Sequence, residues 1–161
     1  QATDALEYYD PPSLFTPLDF GLVGFSFACG LGVKVARPDK TVVSLIGDGG
    51  FGMTISELST AVQYKINTIT IVMNNNSWGA EKAYQRDFFE KKYIGADINS
   101  PEFHKVAQLY GAKGFEINRV SELNDALKAA LKCNKPAVIN VNVDPKALYS
   151  FRKDSFKHRT K

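Results

Sequence analysis

The chain has little that would take it out of ordinary globular chemistry. Its 161 residues contain no apolar run of about 20, so no segment has the length to cross a bilayer as a helix. There are two cysteines, Cys29 and Cys133, and their spacing matches no metal-ligand pattern. Both fall in predicted helices, where buried free thiols fit a reducing compartment, and a cytoplasmic location is the expectation. The formal net charge of +3 is too small an excess to attract nucleic acid. The start, from Gln1, shows neither a methionine nor a basic-then-apolar targeting stretch. The chain is therefore expected to be a fragment or a processed piece of something longer. With 44% apolar and 23% charged residues, it can bury the core of one domain.

What is present is a pair of apolar runs, each ending in a polar loop. Thr41 to Ile46 leads into Gly47-Asp48-Gly49-Gly50-Phe51-Gly52, and Thr68 to Met73 leads into Asn74-Asn75-Asn76-Ser77-Trp78-Gly79. Residues 50 to 73, 24 in all, separate Gly49 from Asn74. That interval accommodates one helix and one strand, so both loops reach the same edge of a sheet. Open α/β sheets bind ligands there, outside the carboxyl ends of their strands. Asp48 offers a carboxylate, Asn75 a side-chain carbonyl and Ser77 a backbone carbonyl. Three such oxygens suit Mg²⁺, which takes its remaining ligands from phosphate and water. Gly49 and Gly50 leave backbone N–H groups open to a phosphate at a helix entrance. The pair reads as a metal-diphosphate clamp.

Two other readings compete for the same residues. Gly47, Gly49 and Gly52 match the dinucleotide fingerprint, but that pattern needs an acid at the end of the next strand. Here the strand ends in Met73-Asn74-Asn75, and the next acid is Glu81. The glycines are also consistent with a plain strand-to-helix turn, which leaves Asp48 and the asparagines unexplained.

Gly47-Asp48-Gly49 followed by Asn74-Asn75 resembles the thiamine diphosphate motif. The resemblance implies an α/β fold with a doubly wound parallel sheet and helices on both faces. It implies that Asp48, the Asn75 side chain and the Ser77 carbonyl bind Mg²⁺, which holds the diphosphate, with Gly47, Gly49 and Gly50 lining the cofactor. A G-x-x-G turn lies under the aminopyrimidine ring in this family. By position, the Gly21 carbonyl would accept a hydrogen bond from the ring's amino group, and Val23 would wedge between the two rings. Many relatives carry a larger residue than Val23 there. The likeness extends from about Pro12 to Lys157 and fits the diphosphate-binding domain of the decarboxylase-like group that contains acetolactate synthase. Trp78-Gly79-Ala80-Glu81-Lys82 with Gln85, Asp87 and Phe88, together with Phe15 to Gly21 and Phe151 to Asp154, is similar to the sulfoacetaldehyde acetyltransferase branch.

That branch implies an acetyl transfer to phosphate with loss of sulfite. An acetolactate synthase-like carboligase, a 2-oxoacid decarboxylase and a non-catalytic cofactor-binding module are the alternatives. The family's activating glutamate sits on a pyrimidine-binding domain, and no segment here resembles that domain. The implied partner is such a domain, on the same longer chain or on a separate subunit, in a homo- or hetero-oligomer acting on a small molecule.

Taken in order, residues 1–19 read as a linker broken by Pro11, Pro12 and Pro17, with Tyr8, Tyr9 and Phe15 packing on something. Residues 20–145 form the domain. A helix spans about Phe25 to Ala36, with Cys29, Gly30 and Gly32 allowing close approach. The run Thr41 to Ile46 is apolar enough to predict burial of both strand faces. Thr54 and Glu57 form a capping box for a helix to about Tyr64. Lys82, Gln85 and Arg86 share one helix face, where the two cations are candidate contacts for an anionic substrate. Ser100-Pro101 starts a helix buried through Phe103, Val106, Ala107 and Tyr110, with His104 at the surface and Gly111 as its stop. Gly114 to Ile117 is a strand, Ser121 caps the next helix, and Ala137 to Val143 is the last strand. Residues 146–161 are a basic tail whose Tyr149, Phe151 and Phe156 dock on the protein or on a neighbour.

Overall fold

A computed structural model describes residues 6–9, 12–17 and 20–149. Four strands lie parallel: β1 Val43–Gly47, β2 Ile69–Asn74, β3 Lys113–Ile117 and β4 Ala137–Asn142, in the order β1-β2-β4-β3. The helices are α1 Phe25–Ala36, α2 Asp48–Thr54, α3 Leu58–Gln63, α4 Gly79–Phe88, α5 Phe103–Tyr110 and α6 Leu123–Lys132. Short 3₁₀ turns, Ile55–Glu57 and Val120–Glu122, precede α3 and α6. This is a doubly wound α/β sheet with helices on both faces. No helix among the described residues is long and apolar enough to cross a membrane.

The two faces follow from the period of two along each strand. Ile46, Val72 and Val138 point to one side, where Phe27, Leu31, Phe51, Leu58, Phe103 and Ala107 from α1, α2, α3 and α5 close over them. On that side Phe51 meets Phe27 and Phe103 edge-on, with ring centroids 5.1 Å apart in each pair. On the other side, Ile69, Ile139 and Ile117 pack against Ala126 and Ala130 of α6.

The prediction that both faces of β1 are buried is corrected. The strand alternates, with Ser44 and Ile46 buried while Val43 and Leu45 are exposed. β1 is an edge strand, and α6 lies over β3 and β4 at the far side of the sheet. Met73 on the neighbouring β2 shares this open face.

Several local expectations also change. The helix after β1 begins at Asp48, with Gly47 as its N-cap in extended backbone (φ −77°, ψ 159°). Thr54 therefore ends a helix instead of starting one, and it makes no cap hydrogen bond. Its hydroxyl lies 3.5 Å from the carbonyl oxygens of Gly24 and Gly50, and the Glu57 carboxylate accepts from Thr60 instead. Ser121 is likewise not a cap; Arg119 and Glu122 form the capping box ahead of α6. Gly111 does stop α5, in the left-handed region at φ +94°.

His104 is buried, not at the surface, and Tyr110 is exposed. The cause is Gly114. Its missing Cβ lets the His104 backbone carbonyl lie directly on β3, which rolls the His104 side of α5 toward the sheet. Gly30 serves α1 in the same way, taking the Ser44 hydroxyl where a Cβ would stand, whereas Gly32 faces open space. Tyr8, Tyr9, Phe15 and Tyr149 are all exposed. The tail beyond Tyr149, with Phe151 and Phe156, lies outside the described residues.

Gly114→Ala should therefore cost about 1–3 kcal/mol by forcing α5 off the sheet, while Gly32→Ala should gain about 0.5–1 kcal/mol from helix entropy. Urea unfolding of the two variants side by side checks this; equal effects would refute the close-approach account. A second expectation concerns pH. Backbone N–H groups of Asn118 and Arg119 donate to the Glu122 carboxylate and hold its pKa below the ordinary value. A depressed carboxylate contributes stability above its unfolded pKa and loses it as pH falls through the folded one. Glu122→Gln should thus lower the Tm at neutral pH, with the gap to the parent closing in acid.

Candidate active site

The site is built where β1 and β2 end side by side. Gly47 is level with Met73 in the parallel register, so the next residues of each strand leave the sheet together. Asp48 is the first residue of α2, and Gly49 and Gly50 follow in the same turn. Their N–H groups have no partner within the helix, as at any helix start. Asp48, Gly49 and Gly50 are all buried. Gly49 has no room for a side chain, because a Cβ there would fall 2.5 Å from the Trp78 indole.

Asp48 is 2% exposed, and no cation pairs with it among the described residues. Its Oδ2 accepts one hydrogen bond, from the Ser100 hydroxyl at 2.7 Å. A buried carboxylate held only by a neutral donor is costly. The start of a helix eases that cost by a fraction of a charge, which is less than a full counter-ion supplies.

The second loop is held from both sides. Asn74 is buried, donates to Asn140 Oδ1 at 3.1 Å and accepts from the Asn76 N–H at 3.3 Å. Asn140 donates in turn to Asn142, and Asn142 to Glu116 and Asn118. A row of neutral amides thus crosses the carboxyl ends of β2, β4 and β3. The Asn75 carbonyl oxygen accepts from the Ser77 N–H at 3.1 Å, and Gly79 makes room for its amide. Asn76 sits in left-handed backbone at φ +54°. Outside the loop, Trp78 N–H donates to Ala96 and Ile98 N–H donates to Asn76, while Ser77 bridges to Asp97. The Ser77 hydroxyl is buried with no partner.

This donor set fits Mg²⁺. It offers a buried carboxylate with no cation partner among the described residues, and on the neighbouring loop a side-chain amide oxygen and a backbone carbonyl, all hard oxygens. Gly21 and Val23 lie in the turn that leads into α1, both exposed, with Gly21 at φ +62°. Gly24, at φ +88°, joins that turn to α2: a Cβ there would fall 2.7 Å from Thr54 Cγ2. The turn and the Asp48 helix are therefore one packed unit.

Lys82 and Arg86 are on α4, next to the second loop, and each already holds a carboxylate. Lys82 pairs with Asp97 and lies 5.6 Å from the Tyr93 ring centroid. Arg86 grips Asp87 through two nitrogens, at 2.7 and 3.0 Å, and donates to the Leu148 carbonyl. The Asp87 hydrogen bond raises the Arg86 pKa further above its ordinary value. Gln85 ties back to both backbone groups of Ile94. A separate acid–histidine group, Glu102, His104 and Glu116, has its ligand atoms within 4.8 Å of one another at the β3 side. Lys105 pairs with Glu102, and Asn142 donates to Glu116. Ser100 and Asn140 are residues at the candidate site that sequence reasoning missed. Asn140 was read only as part of the last strand, while Ser100 looked like a helix cap.

Gly49→Ala should displace the Trp78 ring and weaken diphosphate binding, by about tenfold for each 1.4 kcal/mol the clash costs. Titration calorimetry with inorganic pyrophosphate and Mg²⁺ checks it. Unchanged affinity would mean that the ring yields freely.

A family model described as the C-terminal TPP binding domain of thiamine pyrophosphate enzymes matches residues 1–141. The chain is 32% identical over 158 residues to a sulfoacetaldehyde acetyltransferase of Alcaligenes xylosoxydans xylosoxydans, covering 96% of this chain and 26% of the relative. It is 40% identical over 126 residues to the acetolactate synthase large subunit of Haemophilus influenzae, covering 77% of this chain and 22% of the relative. A solved thiamine diphosphate-dependent 4-hydroxybenzoylformate decarboxylase of Rhodococcus jostii superposes with a TM-score of 0.71 at 31% identity, covering 76% of this chain and 23% of that one. The chain thus spans about a quarter of the length of these relatives. On the extent of the match and the shared fold, it belongs to the thiamine pyrophosphate enzymes, as their C-terminal cofactor-binding domain.

Proposed function

We infer that residues 20–145 hold thiamine diphosphate through Mg²⁺, and that the complete protein transfers an acetyl group from sulfoacetaldehyde to phosphate, releasing sulfite and forming acetyl phosphate. The observation that carries the metal reading is the buried Asp48 carboxylate with no cation partner among the described residues. The substrate reading is supported by two sulfoacetaldehyde acetyltransferases whose likeness runs through 96% of the chain.

When bound, the cofactor supplies an electron sink for a carbonyl carbon. The protein's part is placement. Asp48, the Asn75 side chain and the Ser77 carbonyl take the metal. The N–H groups of Gly49 and Gly50 receive the diphosphate at the start of α2. The Gly21 carbonyl would be the acceptor for the cofactor's amino group, and the exposed Val23 side chain would be its apolar contact. Lys82 and Arg86 border the mouth on α4, where a sulfonate and a phosphate must both be received. Either cation must share or release its present carboxylate to do so. The activating glutamate belongs to a pyrimidine-binding domain, on the same polypeptide or on another subunit, so the site is completed at an interface.

A second reading, a carboligase that joins two pyruvates, is favoured by the 40% identity to an acetolactate synthase. One assay separates the two. The full-length protein is given thiamine diphosphate, Mg²⁺, phosphate and sulfoacetaldehyde, with pyruvate in a parallel reaction. Equal amounts of sulfite and acetyl phosphate are expected. Acetolactate without sulfite would overturn the substrate reading and keep the cofactor. Asp48→Ala should weaken Mg²⁺-dependent cofactor binding by about 100-fold or more, since even outer-shell partners are worth 10–100-fold. Unchanged binding in that variant would remove the metal reading itself.

A further inference from the structure

Ser100 stands where the two loops of the site meet. Its hydroxyl donates to Asp48 Oδ2 at 2.7 Å, and its N–H donates to Asn76 Oδ1 at 3.3 Å. One residue therefore touches the loop after β1 and the loop after β2. It is fixed from both directions along the chain. Before it, Ile98 N–H donates to the Asn76 carbonyl at 3.0 Å. After it, Phe103 is buried edge-on against Phe51 of α2, the helix that Asp48 begins. The hydroxyl is thus positioned by backbone and core contacts independent of Asp48.

The chemistry of the contact is selective. A hydroxyl occupies one carboxylate oxygen without neutralising the charge. Asp48 Oδ1 has no hydrogen-bond partner among the described residues. The hydroxyl fills one of the two acceptor sites on Oδ2, which leaves Oδ1 as the less encumbered oxygen for a metal. Mg²⁺ demands short, near-octahedral contacts, whereas Ca²⁺ accepts more ligands and readily takes a carboxylate through both oxygens. Pinning one oxygen favours the smaller ion.

The geometry points to Ser100 as the positioning residue of the metal site: it holds Asp48 for one-oxygen coordination, biases the site toward Mg²⁺ over Ca²⁺, and crosslinks the two metal loops. This rests on the reading of Asp48 as a metal ligand. Ser100 itself is no ligand; it acts through Asp48 and Asn76.

The test uses the full-length protein at saturating thiamine diphosphate, titrated calorimetrically with Mg²⁺ and separately with Ca²⁺. Ser100→Ala should weaken Mg²⁺ binding by about 10- to 100-fold, the range for loss of an outer-shell partner. Ca²⁺ binding should fall much less, so the preference for Mg²⁺ narrows. Ser100→Thr, which keeps the hydroxyl, should restore both the affinity and the preference. A merely structural role would instead weaken both ions alike and lower the Tm of the metal-free protein. That pattern, or an unchanged Mg²⁺ affinity in Ser100→Ala, overturns the proposal. If Ser100→Ala fails to fold, the nearly isosteric Ser100→Cys, a weak donor, carries the same comparison. Asp48→Ala run alongside keeps the two ideas apart. Loss of Mg²⁺ binding there with no effect at Ser100 sinks only the positioning role. Retention of Mg²⁺ in Asp48→Ala sinks the ligand reading beneath it.

Discussion

The contact on which the site depends is not polar. Phe51 meets Phe27 on one side and Phe103 on the other, all three rings 1% exposed or less. Edge-to-face pairs of this kind add about 0.5–1.5 kcal/mol each beyond the area they bury. Their larger effect is geometric. α1 follows the turn at Gly21–Gly24, α2 begins with Asp48, and α5 follows Ser100. Locking the three helices through one ring fixes the relative positions of three pieces of the site that are far apart in the chain. Close-packed interiors move as units, so a shift in any of these helices is felt by the other two.

The polar layer above that core is built mainly of side-chain amides. Asn74, Asn140 and Asn142 pass hydrogen bonds from one to the next across the strand ends, so their amides are satisfied although two of them are buried. Satisfied networks of this kind orient a loop in a way that apolar packing cannot. The result is a frame of amides that ends at the Glu116 carboxylate on the β3 side. Asp48 remains a buried carboxylate with no cation partner among the described residues.

Much of this was legible in the residues. Period and composition placed all four strands within two residues of their observed ends, because continuous apolar runs closed by glycine or asparagine leave few choices. The Asp48 and Asn74–Ser77 loops were legible as a pair because parallel neighbours must present their carboxyl ends together. What stayed hidden depends on partners distant in sequence. Ser100 carries the local signature of a helix cap, yet α5 starts later and its hydroxyl goes to Asp48. His104 looked like a surface residue because nothing nearby in sequence announces that Gly114 will admit its backbone. Lys82 and Arg86 looked available because Asp97 and the Leu148 carbonyl reach them only after folding. Thr54 and Glu57 misled for the opposite reason: their local signature was real, but Gly47 had already begun the helix.

The open face of β1 has a practical side. Val43 and Leu45 on the edge strand, with Met73 beside them on β2, present a strip of apolar side chains with no described element over it. Uncovered strips of this kind bring molecules together in solution, and an edge strand adds free backbone groups for them to pair with. Handled on its own, the domain would be open to self-association along this strip. Detergent or a charged substitution at Leu45 would then act on that strip directly, where repair of the core would not.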